Sequence, residues 1–472
     1  MISPRDGVPL QTKQEETHVN GLHPGRELPV IWVNNRQLRD VSADALDALY
    51  KANDPPAIFT QGGSLARVRQ DDEGQPIIDF LSEAMLARRL TRVANFLKTL
   101  KNTVIQVNPP PASVRDILPL GQWQFPSLRG VVEIPILRSN GTILSTTGYD
   151  RSTGLLYQPA PSLLLPTIPE RPTGAQISHA VSVIDDILFD FPFVDQASRA
   201  KGWAAVLTPT VRAMIGGCTP MGLLDAPEAG TGKGLSAEVI SMVATGRNAA
   251  MFSAPREDEE WRKQITTALK GGTTVIVIVN LEGRLDAPSL SRALTSKIWA
   301  DRPLRTNEDV FLPNRATWLA TGNDVALGSD MPRRCYFVRM DARMPRPWFR
   351  SSSEFRQPKL IKFVQEYRGE LIAALITIVR AWFVAGKPGA QVPTFGSFED
   401  WAEVTGGVLN FIGIVGFLSN LPAIHDLVDQ DTPIWTGFCG KWREVIGEKP
   451  VQVKELIVYL MSSQEFRGYL PD

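Results

Sequence analysis

The sequence predicts an α/β core built on a mainly parallel β-sheet, and two observations support this. Three short apolar runs, "GLLDAP" (222–227), "TTVIVIVN" (273–280) and "ATWLATGND" (316–324), have the composition of strands that are buried on both faces. Segments with helical periodicity precede and separate them, as at 177–193 and 195–215. Strands that alternate with helices are typical of parallel sheets covered by helices.

The length of 472 residues indicates several domains. We predict a flexible tail at 1–27, an N-terminal α+β domain at 28–170, the α/β core at 175–385 and a small helical, winged-helix-like domain at 390–472. The hydrophobic content of 43% and charged content of 21% are those of an ordinary globular protein.

Charge and cysteine content restrict the possible functions. Lys plus Arg equals Asp plus Glu, 50 each, so a polyanionic partner must be held by local basic patches. The three cysteines and four histidines show neither disulfide-type nor metal-ligand spacing, so we predict no metal bound by such residues and a reducing, cytoplasmic location. The longest apolar run, 371–379, is too short for a membrane span, so we expect no membrane partner.

Helices and turns outside the core are predicted from caps and periodicity. Ser42 is expected to cap a helix over 42–53, and Ser82 to cap an amphipathic helix over 82–101. The sequence Ser139-Asn140-Gly141 predicts the turn of a hairpin within 131–150. Residues 363–386 predict one long helix ended by Gly386, and residues 398–414 a helix pair.

The stretch "APEAGTGKGLSAEV" (226–239) predicts a phosphate-binding loop between a strand and a helix. Glycines let backbone N–H groups wrap around phosphate oxygens, and the helix N-terminus adds a positive dipole. Lys233 would reach the β- and γ-phosphates. The pattern is broken at both ends, because Pro227 replaces the first glycine and Gly234 replaces the Ser or Thr that normally binds magnesium. The alternative is a glycine-rich turn without a ligand. The predicted nucleotide-binding residues are Ala229, Gly230, Thr231, Gly232, Lys233, Gly234 and Leu235.

The acidic element expected after the next apolar strand is also altered. Val279 stands where an aspartate is expected, Asn280 follows, and Glu282 is the first carboxylate. Two magnesium-linked positions are therefore lost together. Glu282 is either a solvated loop acid or a substitute that polarises the attacking water.

Further candidates follow the third strand. Asn323 ends it and would contact the γ-phosphate. Arg333 and Arg334 come shortly after, and an arginine at a subunit edge can act on the nucleotide of a neighbouring subunit. The pair could equally be a basic surface turn or salt-bridge partners.

Residues 297–315 predict a basic hairpin inserted before that strand. Its side chains Lys297, Arg302, Arg305 and Arg315 could follow the phosphates of single-stranded DNA without distinguishing its sequence. A solvated turn is the alternative. The catalytic candidates are thus Lys233, Glu282, Asn323 and Arg334, and the DNA-binding candidates are Lys297, Arg302 and Arg305.

Six segments follow one another along the chain: 222–247, 253–269, 277–296, 298–305, 316–324 and 331–342. In this order they resemble the helicase part of phage- and plasmid-type primase-helicases. Those proteins are AAA+ ATPases related to helicase superfamily 3. The resemblance extends to flanking segments and covers most of the chain. It implies an AAA+ P-loop ATPase core that binds ATP and Mg²⁺ and acts as a replicative DNA helicase of a mobile element. It also implies a homo-oligomeric, hexameric ring, single-stranded or forked DNA as substrate, and a primase or other replication protein as partner.

The resemblance carries Gly230, Thr231, Gly232 and Lys233 over as phosphate binders, Asn323 as sensor and Arg334 as the favoured finger. This chain departs from the family at Gly234 and Val279, and both departures weaken magnesium binding. Two hypotheses follow: an active ATP-driven helicase, and a nucleotide- and DNA-binding relative that does not hydrolyse ATP and serves as a scaffold or loader.

Overall fold

The computed structural model describes residues 28–462 except 73, 102, 303–308, 329, 422–430 and 448–449. The chain divides into two compact units. The first comprises the residues up to Thr60 together with Ser64–Val68 and Phe80–Pro126, and the second comprises Gln61–Gly63, Arg69–Asp79 and the chain from Ser127. The division after Pro126 lies inside the predicted first domain. The three-domain division stays a prediction.

The elements before Pro126 are short strands and three helices. They are β1 (Val30–Trp32), α1 (Leu38–Lys51), β2 (Phe59–Gln61), β3 (Ser64–Gln70), β4 (Pro76–Phe80), α2 (Glu83–Val93), β5 (Asn95–Leu100), β6 (Thr103–Val107) and α3 (Pro111–Ile117). Strand β5 pairs in parallel with β1 and antiparallel with β6.

Two predictions about these helices are corrected. The Ser82 side chain caps α2 by accepting a hydrogen bond from Met85 N at 3.3 Å, as predicted, but the helix ends at Val93 and not at 101. The chain turns into β5 there, because Phe96 is buried in a strand pair and not on a helix face. Ser42 does not cap α1; it is buried inside that helix, which begins at Leu38.

The second unit contains the central sheet and most of the helices. Before the sheet come β7 (Gly130–Val132), β8 (Ile136–Leu137), β9 (Ile143–Leu144), β10 (Gly148–Asp150), β11 (Leu155–Tyr157), α4 (Gly174–Leu188) and α5 (Gln196–Val211). Strands β8 and β9 form the predicted hairpin.

The sheet region follows in chain order. It contains β12 (Met221–Ala226), α6 (Lys233–Thr245), β13 (Ala250–Ser253), α7 (Asp258–Lys270), β14 (Val275–Leu281), β15 (Arg284–Leu285), α8 (Pro288–Thr295), β16 (Ile298–Asp301), β17 (Val310–Pro313), β18 (Thr317–Asn323), β19 (Ala326–Leu327) and β20 (Cys335–Arg339). The last helices are α9 (Leu360–Glu366), α10 (Arg368–Val384), α11 (Glu399–Phe411), α12 (Asp431–Val445) and α13 (Val453–Ser462).

Five parallel strands form the central sheet in the order β13-β14-β18-β12-β20. The three predicted strands are confirmed as β12, β14 and β18, and β18 lies between the other two. All residues of β12 and the first six of β18 are buried, as expected for strands covered by helices on both faces. The carboxyl ends of these strands meet at one edge, where open α/β sheets bind their ligands.

The core of this unit extends beyond the sheet. One cluster joins sheet residues such as Leu224 and Val338 with residues of helices α4–α6 and α9–α11. In α11, Trp401 stacks on Tyr336 of β20 with ring centroids 4.9 Å apart, and its indole N–H donates to Thr208 Oγ1 at 3.0 Å. The segment 398–414 therefore contains one helix, α11 (Glu399–Phe411), which is anchored in the core, and not the predicted pair.

The predicted long helix over 363–386 is divided at Tyr367 into α9 and α10, and Gly386 follows the end of α10 with φ 85°. Beyond Leu421, the described residues form two helices and no strand, so a winged-helix domain stays a prediction. Within the described ranges, no helix is both long and apolar enough to span a bilayer.

Candidate nucleotide-binding site

The predicted strand, loop and helix occur in that order around residues 226–233. Strand β12 ends at Ala226 and α6 begins at Lys233. Gly230 and Gly232 have φ of 73° and 108°, in the left-handed region that favours glycine. The loop thus has the backbone that close wrapping around an anion requires, directly before the N-terminus of a 13-residue helix.

Lys233 lies at the first position of α6 and is 8% exposed. Its Nζ donates a hydrogen bond to the carbonyl oxygen of Glu228 at 2.9 Å, and the Thr231 hydroxyl donates to the same oxygen at 2.7 Å. Burial lowers the pKa of Lys233, whereas the carboxylates of Asp225 and Asp324 act to raise it. The ammonium is thus held inside the loop by a hydrogen bond to a neutral carbonyl oxygen. A phosphate oxygen could take the place of that carbonyl as the acceptor.

A buried ion-pair group that sequence reasoning missed lies beside this lysine. Asp225 in β12 is fully buried, and its Oδ1 accepts a hydrogen bond from Val325 N at 3.2 Å. Arg339 of β20 ion-pairs with both Asp225 and Asp324. Burial raises the pKa of Asp225, against the opposing effect of Arg339. The sequence signal that could have indicated this group is the aspartate within the otherwise apolar run "GLLDAP".

Asn323 lies next to the loop. It is exposed at the end of β18, and its Cα pairs in register with Ala226, the residue from which the loop starts. The structure therefore brings this predicted residue to the sheet edge that carries Lys233. Its role toward a γ-phosphate stays a prediction.

The altered acidic position also belongs to this edge. The pairing of β14 with β18 shifts between Ile278 and Leu281, and Asn280 there has φ 56°. Val279 is half-buried and packs against the cluster that contains the core residues of α6. Because side chains alternate along a strand, Val279 points to the same face of the sheet as Val277 and Val275. Glu282 follows in an exposed loop.

The residues present do not fit a protein-held magnesium ion. Gly234 offers no hydroxyl and Val279 no carboxylate. Among the residues that the structure describes, no group of three or more His, Cys, Asp or Glu side chains is placed to hold a metal ion. The loop is therefore present without the two groups that would hold magnesium.

Two aromatic side chains flank the loop. A Cβ built on Gly230 would lie 3.0 Å from Cε3 of Trp348, and one on Gly232 would lie 3.3 Å from Cδ1 of Phe191. Trp348 is 54% exposed, so much of its indole remains accessible beside the glycines. Neither residue was predicted, because each approaches the loop from a distant part of the sequence.

The two candidate finger arginines differ in their surroundings. Arg334 donates to Ser291 O at 2.7 Å and Thr295 Oγ1 at 2.8 Å in the last turn of α8, and it pairs with Asp330 at 2.8 Å. Its side chain is only 13% exposed, whereas that of Arg333 is 64% exposed and, among the described residues, pairs with Asp330. Arg333 is therefore the more available side chain, and the role of Arg334 as a finger stays a prediction.

The predicted basic hairpin is present as β16 and β17, which pair antiparallel. Lys297 is exposed at its start, and Arg302 is exposed and pairs with Asp309 at 2.9 Å across the hairpin. Arg305 lies outside the described residues. Arg315 is not a side chain of the hairpin surface: it lies half-buried near Arg212 and Arg129.

No protein-family model matches the sequence, and no curated protein matches it. The chain is similar to two apo structures of the NrS-1 C-terminal region, the A form and the A form of residues 305–718. These have 10% and 11% identity, cover 88% of this chain and 85% and 84% of those chains, and give TM-scores of 0.37 and 0.38. It is also similar to a structure described as the active helicase Cch of SCCmec type IV, with 13% identity, 82% and 78% coverage and a TM-score of 0.34. These values are too low to carry an activity over to this chain.

Proposed function

We propose that the protein binds ATP in the loop between β12 and α6 and acts on DNA as a helicase or translocase. The observation that carries this proposal is the position of Lys233. Lys233 lies in the first turn of α6, directly after a loop in which Gly230 and Gly232 have positive φ, and its ammonium points into that loop. Asn323 adds a second polar group at the same sheet edge.

Binding would proceed through groups that the loop already presents. Loop N–H groups and the α6 dipole attract the phosphates. Lys233 would exchange the Glu228 carbonyl for a β- or γ-phosphate oxygen, and a charge-assisted hydrogen bond to phosphate is stronger than one to a neutral carbonyl. The exposed indole of Trp348 offers apolar surface next to the loop on which a base can pack.

DNA would be held by the β16–β17 hairpin. Lys297 and Arg302 are exposed there, and their charges suit backbone phosphates and not base edges. Because the whole chain has no net charge, such a local patch must supply the attraction. Single-stranded or forked DNA, a hexameric ring and a primase or other replication protein as partner belong to the same proposal.

Forked-DNA unwinding tests the proposal. We expect strand separation that depends on ATP and is abolished by Lys233→Ala, whereas Lys263→Ala, at a partly exposed lysine of α7, leaves it unchanged. A chain that binds neither ATP nor single-stranded DNA would contradict the proposal.

A second candidate is a nucleotide- and DNA-binding scaffold or loader with little or no hydrolysis. The observation that favours it is the joint absence of metal-binding groups at Gly234 and Val279 around an otherwise complete cradle. This candidate predicts tight ATP binding without turnover. In that case the ATP-bound state, and not hydrolysis, would control DNA binding or assembly.

A further inference from the structure

A small cavity lies at the end of the central sheet opposite to the loop. It is lined by Thr273 and Thr274 just before β14, by the first residue of β18, by the segment after α5 and by the stem of the hairpin at Pro313. Its volume is about 50 Å³. β18 has seven residues, at about 3.3 Å per residue, so the cavity and the nucleotide loop lie roughly 20 Å apart along it.

Three arginines line the cavity: Arg129, Arg212 and Arg315. No carboxylate lines it among the described residues, and none of the three arginines forms an ion pair within that part of the chain. The hydrogen bonds that Arg212 donates to described residues go to carbonyl oxygens, those of Ile215 and Asn314, each at 3.1 Å. Within the described part of the chain, three positive charges therefore converge here without a negative partner.

Burial makes this arrangement costly. Arg212 is 8% exposed, and burial lowers its pKa to about 10, with a further lowering by the charge of Arg315. Burial also lowers the pKa of Arg315, and the charge of Arg129 adds to that effect. Buried charges in proteins are normally paired, so an unpaired cluster of like charge indicates a missing counter-ion.

Unpartnered polar atoms provide a second, independent observation. Within the described chain, Nε of Arg212, Oγ1 of Thr317 and Oε1 of Gln61 are buried and make no hydrogen bond. Their residues are 8%, 2% and 5% exposed, and all three line this cavity. Buried polar atoms are rarely left unpaired. Nε and the hydroxyl can donate to an anion, and rotating the Gln61 amide by half a turn presents its NH₂ as a further donor.

We propose that this cavity is a binding site for a phosphate group, separate from the nucleotide loop. A tetrahedral oxyanion matches the fork geometry of guanidinium groups and would neutralise the cluster. The cavity holds a few water-sized volumes, which suits one phosphate and not a whole nucleotide. Arg129 is exposed and leaves the cavity reachable from solvent.

The phosphate can come from two sources, a small anion such as inorganic phosphate or pyrophosphate, or the backbone of a nucleic acid. Pro313 at the end of β17 lines the cavity, and Arg315 follows two residues later. An occupied cavity would therefore contact the stem of the hairpin that is proposed to hold DNA.

Calorimetric titration of the full chain with pyrophosphate tests the proposal. The titration is done in a Lys233→Ala background, which removes the main charge of the nucleotide loop. A negative result then concerns the cavity and does not bear on the proposed nucleotide site. We expect pyrophosphate affinity to fall at least tenfold with Arg129→Ala and with Arg315→Met. Arg39→Ala, a control at an exposed arginine of α1, should bind as the parent does.

Two readouts keep the test decisive. Arg315→Met removes an unpaired charge, so we expect its melting temperature without phosphate to be equal to or above that of the parent. We also expect that adding pyrophosphate no longer raises the melting temperature of this variant. Arg129 is exposed, so Arg129→Ala remains informative if Arg315→Met does not fold. Unchanged pyrophosphate affinity in Arg129→Ala, or no binding to the parent at millimolar concentration, would overturn the proposal.

A labelled single-stranded oligonucleotide distinguishes the sources. If Arg129→Ala weakens oligonucleotide binding and pyrophosphate competes with it, the ligand is a backbone phosphate. If oligonucleotide binding is unchanged while pyrophosphate binding is lost, the ligand is the small anion. Both results support the site.

Discussion

Restoring the two missing magnesium groups should raise ATP turnover. The change is the double variant Gly234→Ser, Val279→Asp. Serine fits at 234, because a Cβ there meets no atom within 4 Å and the residue lies in the first turn of α6. At 279 the side chain is half-buried and points to the face of the sheet that α6 covers, so a carboxylate there would lie on the side of the phosphate loop.

The expected gain in transition-state stabilisation is larger than the expected loss in the free energy of unfolding. Replacing a half-buried valine by aspartate costs about 1–3 kcal/mol, the usual range for introducing a polar group into a partly buried position. Replacing a helical glycine by serine returns a few tenths of a kcal/mol. Each preorganised group that stabilises transition-state charge contributes about 3–4 kcal/mol, but two groups acting on one ion are not additive. We therefore expect turnover to rise roughly 10²- to 10³-fold.

The assay is phosphate release with ATP, magnesium and single-stranded DNA. The parent, both single variants and the double variant would be compared at equal nucleotide occupancy, and the double variant carrying Lys233→Ala serves as the inactive control. A folded double variant that binds ATP as the parent does, yet hydrolyses it no faster, would refute the assignment of Gly234 and Val279 to the metal positions.

Three further results are expected. Lys297→Ala and Arg302→Ala should each weaken single-stranded DNA binding about equally for all sequences and lower the salt dependence by about one counter-ion, measured by anisotropy across salt concentrations. Arg334→Ala should lower the free energy of unfolding by about 1–3 kcal/mol, because it leaves carbonyl and hydroxyl groups of α8 without their partner, whereas Arg333→Ala should change it by less than about 0.5 kcal/mol in denaturant titrations. Burial raises the pKa of Glu133 to about 7 in the folded protein, although its ion pair with Arg247 acts to lower it. Burial therefore disfavours the ionised carboxylate, so the contribution of this group to folding stability is highest below about pH 4.5 and falls as pH rises through 7; Glu133→Gln should remove this part of the pH dependence of the melting temperature.

The elements that the sequence predicted well are those with local signals. Apolar runs predicted β12, β14 and β18, and the glycine pattern predicted the loop before α6. The helix expected over 82–101 was wrong beyond Val93, because the apolar spacing around Phe96 suits either element and pairing with β1 decides it.

Features made by distant segments were not predictable from local patterns. The pair of Asp225 and Arg339 joins residues 114 positions apart. The arginine cavity collects side chains from Arg129, Arg212 and Arg315, which share no motif. Arg334 could not be told from Arg333 by sequence, because only the packing against α8 separates an anchored arginine from an exposed one.

Titration with a fluorescent ATP analogue tests the central claim, that the loop between β12 and α6 binds nucleotide phosphates. We predict saturable binding to the parent chain and a loss of at least a hundredfold in affinity with Lys233→Ala. The control Lys263→Ala should bind as the parent does. Undiminished binding to Lys233→Ala, in a chain that melts at the parent's temperature, would contradict the claim.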